Sequence, residues 1–417
     1  MAIVFDFWGA PAFLWRFAGV DIGFPDFLRG ECQGRSGLAK AGAKSACLKA
    51  VFHFFFMNSR CFSAGMACLA AWAALAGCQP QSAPAASIVR IEGPTMGSTY
   101  HISYVPGPGG QPAAGQAQEA VQAMLRELDA AVSTYRDDSD LARFNAAPAP
   151  VCMDMPDAAL DLARHALALA QQSEGAFDVT LLPLLQAWGF GHGAAARPVH
   201  EASPAPAPAE LEAARSRMGM QHLRVQPGQP GQLCKDAPIR VEFNSIAAGY
   251  AVDRVASYFA QQGVGSELVE ITGEMKAVGV KPGGAPWRIA IEAPLEGERQ
   301  AQRIVQLNGL ALSTSGDYRN WHEVDGQRQS HIMDPRTLAP VRHRLAAVTV
   351  AAPSALEADG LSTLFMVLGP QRGFDDAQAR GIAALFVSRR ENGEGFETRA
   401  TAAFEAAFGA SPQGEKP

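Results

Sequence analysis

An α+β fold is predicted by three observations in the sequence. Short strand-like runs follow one another without helices between them, and helical stretches stand apart from those runs. No repeat of fixed period and no strand–glycine–helix fingerprint occurs. Length and composition agree. The 417 residues suffice for one large core or two smaller ones, and 48% are apolar against 18% charged. That apolar share is too high for a disordered chain. A net charge of −6 leaves no basic surplus for phosphate backbones, so no nucleic-acid partner is expected. Seven cysteines at this length do not make a disulfide-dense scaffold.

Residues 1–56 mix Trp, Phe, Gly and scattered basic residues with no period of 2 or 3.6, and are expected to be an over-extended gene start outside the fold. Met57-Asn58-Ser59-Arg60 opens a second start: one positive charge, an apolar run from Phe62 to Ala76, then Leu75-Ala76-Gly77-Cys78. A charged region, an apolar stretch of roughly 7–15 residues and a small-residue cleavage site make a secretory signal. The run is shorter than the ~20 residues a spanning helix needs. Residues 57–77 are therefore expected to be a signal peptide. Their L-A-G-C end resembles a bacterial lipobox, which makes Cys78 the lipidated first residue of the mature chain. Gln79 behind it favours the outer over the inner membrane by the same resemblance. The expected location is the periplasmic side of the cell envelope, with a lipid anchor in the membrane and 78–87 as a flexible tether. Cys152 and Cys234 are the other cysteines of that mature chain. They pair or stay as two separate buried thiols; the sequence leaves both open.

From Ile88 the texture is regular, and 88–409 is expected to form the domain. Ile88–Ile91 and Tyr100–Val105 read as strands around the turn-like Gly93-Pro94-Thr95-Met96-Gly97. Ala120, Val121, Met124, Leu125, Leu128 and Val132 give a helix over 117–133. A second runs from Asp157, after Pro156, to Gln172, and stops before Gly175. Residues 193–209 form a Pro/Ala-rich loop. Asn244-Ser245 opens a helix that Gly263 ends, and short strands alternate with turns from 267 to 351. The last clear helix starts at Ser354, with Glu357 three residues on, and ends at Gly369-Pro370.

Five segments place polar groups beside helix or strand ends. Pro94–Tyr100 contains Gly97, which permits close backbone approach, although an ordinary β-turn has the same composition. Ser133-Thr134-Tyr135-Arg136-Asp137-Asp138 offers a tyrosine that stacks on a flat ring or packs as an anchor. Gly175-Ala176-Phe177-Asp178 and Trp188-Gly189-Phe190-Gly191 suit either turn packing or the wall of a planar ligand. Glu242–Tyr250 sets small residues at a helix start, where free N–H groups favour an anion such as a diphosphate. The fifth joins Thr314–Tyr318 and Ser330–Thr337 to Ala358–Thr363. There Asp359, Ser362 and Thr363 fall at i, i+3 and i+4, so their oxygens share a helical face. One carboxylate with hydroxyls suits Mg²⁺, which prefers hard oxygens and keeps water or phosphate as further ligands. A solvated polar face would carry the same residues.

Taken in order, T-M-G-S-T-Y, S-T-Y-R-D-D-S-D-L-A-R-F-N, G-A-F-D-V-T-L-L-P-L-L-Q-A-W-G-F-G, S-T-S-G-D-Y-R-N-W, S-H-I-M-D-P-R-T and E-A-D-G-L-S-T resemble the FAD:protein FMN transferase family, the ApbE flavin transferases. The resemblance covers about 88–390 and implies a single large domain of mixed and antiparallel sheets flanked by helices. It also implies an enzyme that uses Mg²⁺ to move the FMN half of FAD to a Ser or Thr of an exported acceptor flavoprotein, releasing AMP. Carried over by motif, Met96, Tyr135, Ala176, Phe177, Asp178, Asn244, Tyr250 and Ile332 are expected to contact FAD. The metal is expected at Asp359, Ser362, Thr363 and the main-chain carbonyl of Ala247. A hydroxyl attacking a diphosphate benefits from a base with pKa near 7, the range of histidine. His331 is the candidate, against a structural role in the Asp334-Pro335 turn, with Asp317 next in line.

Three positions depart from the family pattern: Ala248 where Lys is common, Thr272-Gly273-Glu274 where the family has G-G-D, and Leu338 where it has Gly. The first removes a cation on the phosphate side, and the second lengthens an acid by one methylene. Two alternatives share the same residues. One is a lipoprotein that binds and presents flavin without transfer, and the other is an FAD pyrophosphatase in which water replaces the protein hydroxyl.

Overall fold

The computed structural model describes residues 3–4, 87–191, 202–297 and 299–410. The expected signal peptide, Cys78 and most of the tether lie outside the described residues, as does part of the Pro/Ala-rich loop. Ile3–Val4, within the segment expected to stand apart, pairs antiparallel with Ile289–Ala290.

Eight strands form the central sheet: β1 (Val89–Thr95), β2 (Ser98–Val105), β3 (Ser266–Ile271), β4 (Glu274–Val278), β5 (Leu310–Gly316), β6 (Leu345–Ala352), β7 (Ala383–Arg389) and β8 (Phe396–Ala400). Every neighbouring pair is antiparallel, and the spatial order is the order in sequence. Helices enter as insertions: α1 (Ala114–Val132), α2 (Asp140–Ala146), α3 (Asp157–Gln172), α4 (Leu182–Ala187), α5 (Pro208–Arg215), α6 (Ala247–Gln261), α7 (Ala355–Ala379) and α8 (Ala402–Phe408). The α+β expectation holds, with the helices grouped mainly in the β2–β3 and β6–β7 connections.

Both faces of the sheet are covered, which explains why all eight residues of β6 and all six of β3 are buried. One face supports α6 and α7, with α1 and α3 outside them, through a core that includes Val269, Val350, Phe259 and Phe365. Behind the other face lies the hairpin of Trp287–Glu292 and Ala301–Leu307, where Trp287, Ile289 and Leu307 meet Leu268, Leu312 and Phe404.

Local signals set the helix ends. α3 has the expected bounds, because Pro156 precedes it and Gly175 follows at φ +79°. Ser354 caps α7, its hydroxyl accepting the Glu357 N–H at 3.3 Å. Gly369, at φ +81°, breaks α7 where the sequence predicts its end, and Pro370 begins a further helical stretch to Ala379. α6 starts at Ala247 rather than Asn244, since 244–246 form a turn. Cys152 and Cys234 face each other on paired strands and are disulfide-bonded. Among the described residues no helix is long and apolar enough to cross a membrane.

Candidate active site

A cleft of about 370 Å³ opens where the segment leading into α6, the helix α7, β4, β5 and the loops before β6 converge. Its floor is built by α7. Asp359 and Thr363 lie one turn apart and both line the cleft. The Gly249 N–H, from the first turn of α6, donates to Asp359 Oδ2 at 2.9 Å. That approach requires glycine: a Cβ there would come within 2.3 Å of the Ala355 carbonyl oxygen. Ser362 sits behind the cleft wall, fully buried, and donates to the Asp359 carbonyl at 3.0 Å. Ser313 and Ser315, on one face of β5, complete a hydroxyl cluster. Ser315 Oγ is 2.8 Å from Ser362 Oγ and 3.0 Å from Thr363 Oγ1. Neither serine was assigned a role from the sequence, since pairing between β5 and α7 is a tertiary fact.

Glu274 also lines the cleft, on the turn Thr272–Glu274 that joins β3 to β4. Thr272 holds a left-handed φ of +55° and donates its hydroxyl to Glu274 at 2.9 Å. Glu270 accepts the Gly273 N–H at 2.7 Å and so fixes the turn from below. Burial raises the Glu274 carboxyl to about 7. Burial, and then the Glu274 charge, raises Asp359 well above the ordinary carboxylate range. A buried and a half-buried acid that resist ionisation together, ringed by hydroxyls, match the hard-oxygen donor set of a divalent cation. Among the described residues no group of three His, Cys, Asp or Glu side chains forms a metal cage. A magnesium ion held by one or two carboxylates, hydroxyls and substrate phosphates needs none. Ala247 opens α6 two residues before Gly249, but does not itself line the cleft.

His331 lines the cleft from the loop between β5 and β6. Its Nδ1 lies 3.0 Å from the Asn320 carbonyl oxygen. A carbonyl only accepts, so Nδ1 carries the proton and Nε2 keeps its lone pair. Burial pushes the imidazole pKa down, so the ring is neutral at pH 7. His322, by contrast, is buried and stacked on Phe190 at 4.2 Å, with Nε2 3.2 Å from the Gly189 carbonyl. Asp317, the second candidate base, is taken up by a two-bond ion pair with Arg389 at 2.6 and 2.8 Å. It is therefore withdrawn from that role.

The expected flavin contacts divide. Ala176, Phe177, Asp178, Asn244 and Ile332 line the cleft. Met96 does not: it occupies the β1–β2 hairpin tip at φ +46°, next to Gly97 at +71°. That hairpin abuts the cleft through the Thr272 N–H, which donates to the Thr99 carbonyl at 3.0 Å. Tyr135 stands 69% exposed and is not among the cleft-lining residues. Tyr250 is not among the cleft-lining residues; from α6 it lines a separate groove with Met124, Arg254 and Leu356. Glu242 is a further acid of the cleft, one whose position the sequence motif alone does not reveal. It lines the cleft, burial raises it to about 7, and it accepts the Asn244 N–H at 3.0 Å.

Residues 96–386 match the ApbE family. This chain belongs to that family. Among its relatives, the FAD:protein FMN transferase of Salmonella typhimurium is 39% identical over 336 residues, covering 79% of this chain and 93% of the relative. The FAD:protein FMN transferase of Vibrio cholerae is 39% identical over 338 residues, covering 81% and 96%. The crystal structure of the Pseudomonas stutzeri flavinyl transferase ApbE, in its apo form, is similar at TM-score 0.70 and 49% identity, over 78% of this chain and 98% of that one. The Vibrio cholerae flavin transferase ApbE follows at TM-score 0.69 and 38% identity, over 77% and 99%. Against the ApbE pattern, Leu338 adopts φ +57° where the family often has glycine, and its carbonyl accepts the Trp188 indole N–H at 3.0 Å.

Proposed function

We propose that this ApbE protein transfers FMN from FAD to a Ser or Thr hydroxyl of an exported flavoprotein, releasing AMP. The carrying observation is that one cleft holds both a neutral histidine with a free Nε2 and an acid-and-hydroxyl cradle at Asp359 and Thr363. The acceptor oxygen forms a bond to the FMN-side phosphorus while the bond to the bridging oxygen breaks, and AMP leaves with that oxygen. His331 Nε2 takes the hydroxyl proton, and the Asn320 carbonyl fixes the ring's tautomer and direction. Ala176, Phe177, Asp178 and Asn244 line the same cleft and would orient the dinucleotide. Magnesium, when bound, supplies neutralisation of charge on the phosphoryl oxygens. Asp359, Thr363 and the Ala247 carbonyl would hold it, with Ser362 supporting from behind.

Incubation with FAD, Mg²⁺ and an acceptor flavoprotein tests the proposal. Flavin fluorescence that stays with the denatured acceptor, with AMP in equal amount, is expected. Free FMN plus AMP would make it a pyrophosphatase, and unchanged FAD a binding protein.

The same proposal places the mature protein on the periplasmic side of a membrane, anchored by lipid on Cys78. The Cys152–Cys234 disulfide supports export, since such bonds persist in oxidising compartments. Mass spectrometry should find the mature chain beginning at acylated Cys78. An intact Met1 in cells would overturn this assignment.

A further inference from the structure

Asp253 lies on α6, six residues beyond Ala247 and outside the cleft lining. Its carboxylate makes three connections to two other elements. Oδ2 accepts the Ser354 hydroxyl at 2.7 Å and the Leu356 N–H at 3.0 Å, both at the N-terminus of α7. Oδ1 pairs with Lys276 Nζ of β4 at 3.0 Å. The three elements so joined are those that carry the metal cradle: Ala247 opens α6, Asp359 and Thr363 stand on α7, and Glu274 begins β4 two residues before Lys276. Between Asp253 and the cradle the two helices touch, through the Gly249 N–H on Asp359.

We propose that Asp253 is a positioning residue for the divalent-cation site, a latch that fixes the first turns of α7 against α6 and β4 and thereby sets the spacing of the cradle oxygens. The proposal rests on the metal assignment at Asp359. The physical case is geometric. Ser354 is the N-cap of α7, so its hydroxyl oxygen accepts from Glu357 while its proton goes to Asp253. The cap and the latch thus form one chain of hydrogen bonds. Asp359 and Thr363 follow within about two and a half turns, a distance over which a helix transmits displacement as a rigid rod. A charged acceptor is needed because one carboxylate must satisfy a hydroxyl, a main-chain N–H and an ammonium together. An amide satisfies the first two and turns its own N–H₂ toward Lys276.

The test is direct binding of Mn²⁺ as a magnesium surrogate, followed by loss of the free-ion EPR signal, beside transfer kinetics. Asp253→Asn should raise the Mn²⁺ dissociation constant roughly 10–100-fold, the range found for partners one shell removed from a metal. At saturating metal its kcat should remain within about threefold of wild type, since no group in the cleft has changed. Lys276→Met and Ser354→Ala, each removing one arm, should shift Mn²⁺ affinity in the same direction by less. Thr401→Ala, which removes the cap of α8 far from the site, should lower Tm yet leave Mn²⁺ affinity alone. Asp359→Ala separates the two ideas. Unchanged Mn²⁺ binding in that variant overturns the metal assignment itself. Loss of binding in Asp359→Ala with unchanged binding in the three latch variants overturns the latch alone. Should Asp253→Asn fail to fold, Lys276→Met and Ser354→Ala decide.

Discussion

His331 suits the proposed role of base, since burial keeps it unprotonated and the Asn320 carbonyl leaves Nε2 available. His331→Ala should lower kcat by roughly 10²–10⁴-fold while leaving FAD affinity and Tm near wild type. The wild-type rate should rise with pH through a group titrating below the usual histidine value, because burial lowers that pKa, and the variant should lose this limb. Stopped-flow transfer across pH 5 to 8 would show it; a variant that melts early and loses FAD returns His331 to a structural part. Glu242 carries the opposite electrostatics. Its carboxyl titrates at about 7 when folded, against an ordinary 4.5. The folded state therefore holds the proton longer, and its stability advantage is complete below pH 4.5 and lost as pH rises through about 7. Glu242→Gln should raise stability at pH 8 by on the order of 1–3 kcal/mol and change little at pH 4. Urea titrations at both pH values check this. What the sequence conveyed at this scale was residue type and order, which suffice to nominate Asp359, Thr363 and His331, and the fold brings all three to one cleft. Motif proximity does not say which groove a side chain lines, and Tyr250 lines a different one from Asn244. Ser313 and Ser315 gain meaning only when β5 is laid beside α7.

At the scale of elements, the junction of α6 and α7 decides the site. Two helices approach until a main-chain N–H reaches a side-chain carboxylate, and Gly249 is what permits it. Gly249→Ala forces a Cβ against the backbone of Ala355, which has no soft rotamer to yield. A loss toward the upper end of the 1–3 kcal/mol typical of overpacking is expected, with Mn²⁺ affinity falling as well. Equilibrium unfolding in urea measures the first, and an unchanged midpoint would mean the helices separate freely. Element boundaries were legible where punctuation was strong: Pro156 and Gly175 bracket α3, and Ser354 with Glu357 opens α7. They were not legible for α2 and α4, of seven and six residues, where too few turns exist for a period to show. Gly369-Pro370 reads as a terminus because its local chemistry stops a helix, and only tertiary packing lets a second one start on the same line.

Across the whole described domain, a disulfide ties residues 82 positions apart, on strands outside the central sheet. Closing a loop of that size removes entropy from the unfolded chain. Reduction should cost ~2–4 kcal/mol, read as a lower Tm with reductant present, whereas a Cys152→Ser/Cys234→Ser protein should melt low and ignore the reductant. The sheet raises a different matter. Its strands sit side by side in the order they are made, so each pairs with its predecessor, across short turns within the hairpins but across the long helical insertion 106–265 between β2 and β3. The cleft likewise draws on distant parts of the chain: it needs Ala176 from an early insertion, Glu274 from the middle and Thr363 from late in the chain. A polypeptide threaded across a membrane from its N-terminus would thus arrive with most of its scaffold before Asp359 and Thr363 follow. On the proposed function, neither ligand would be retained before Asp359 and Thr363 arrive, so loading would wait for the compartment that receives them. The nucleotide and the cation acted on would be those available at the destination, not those of the place of synthesis.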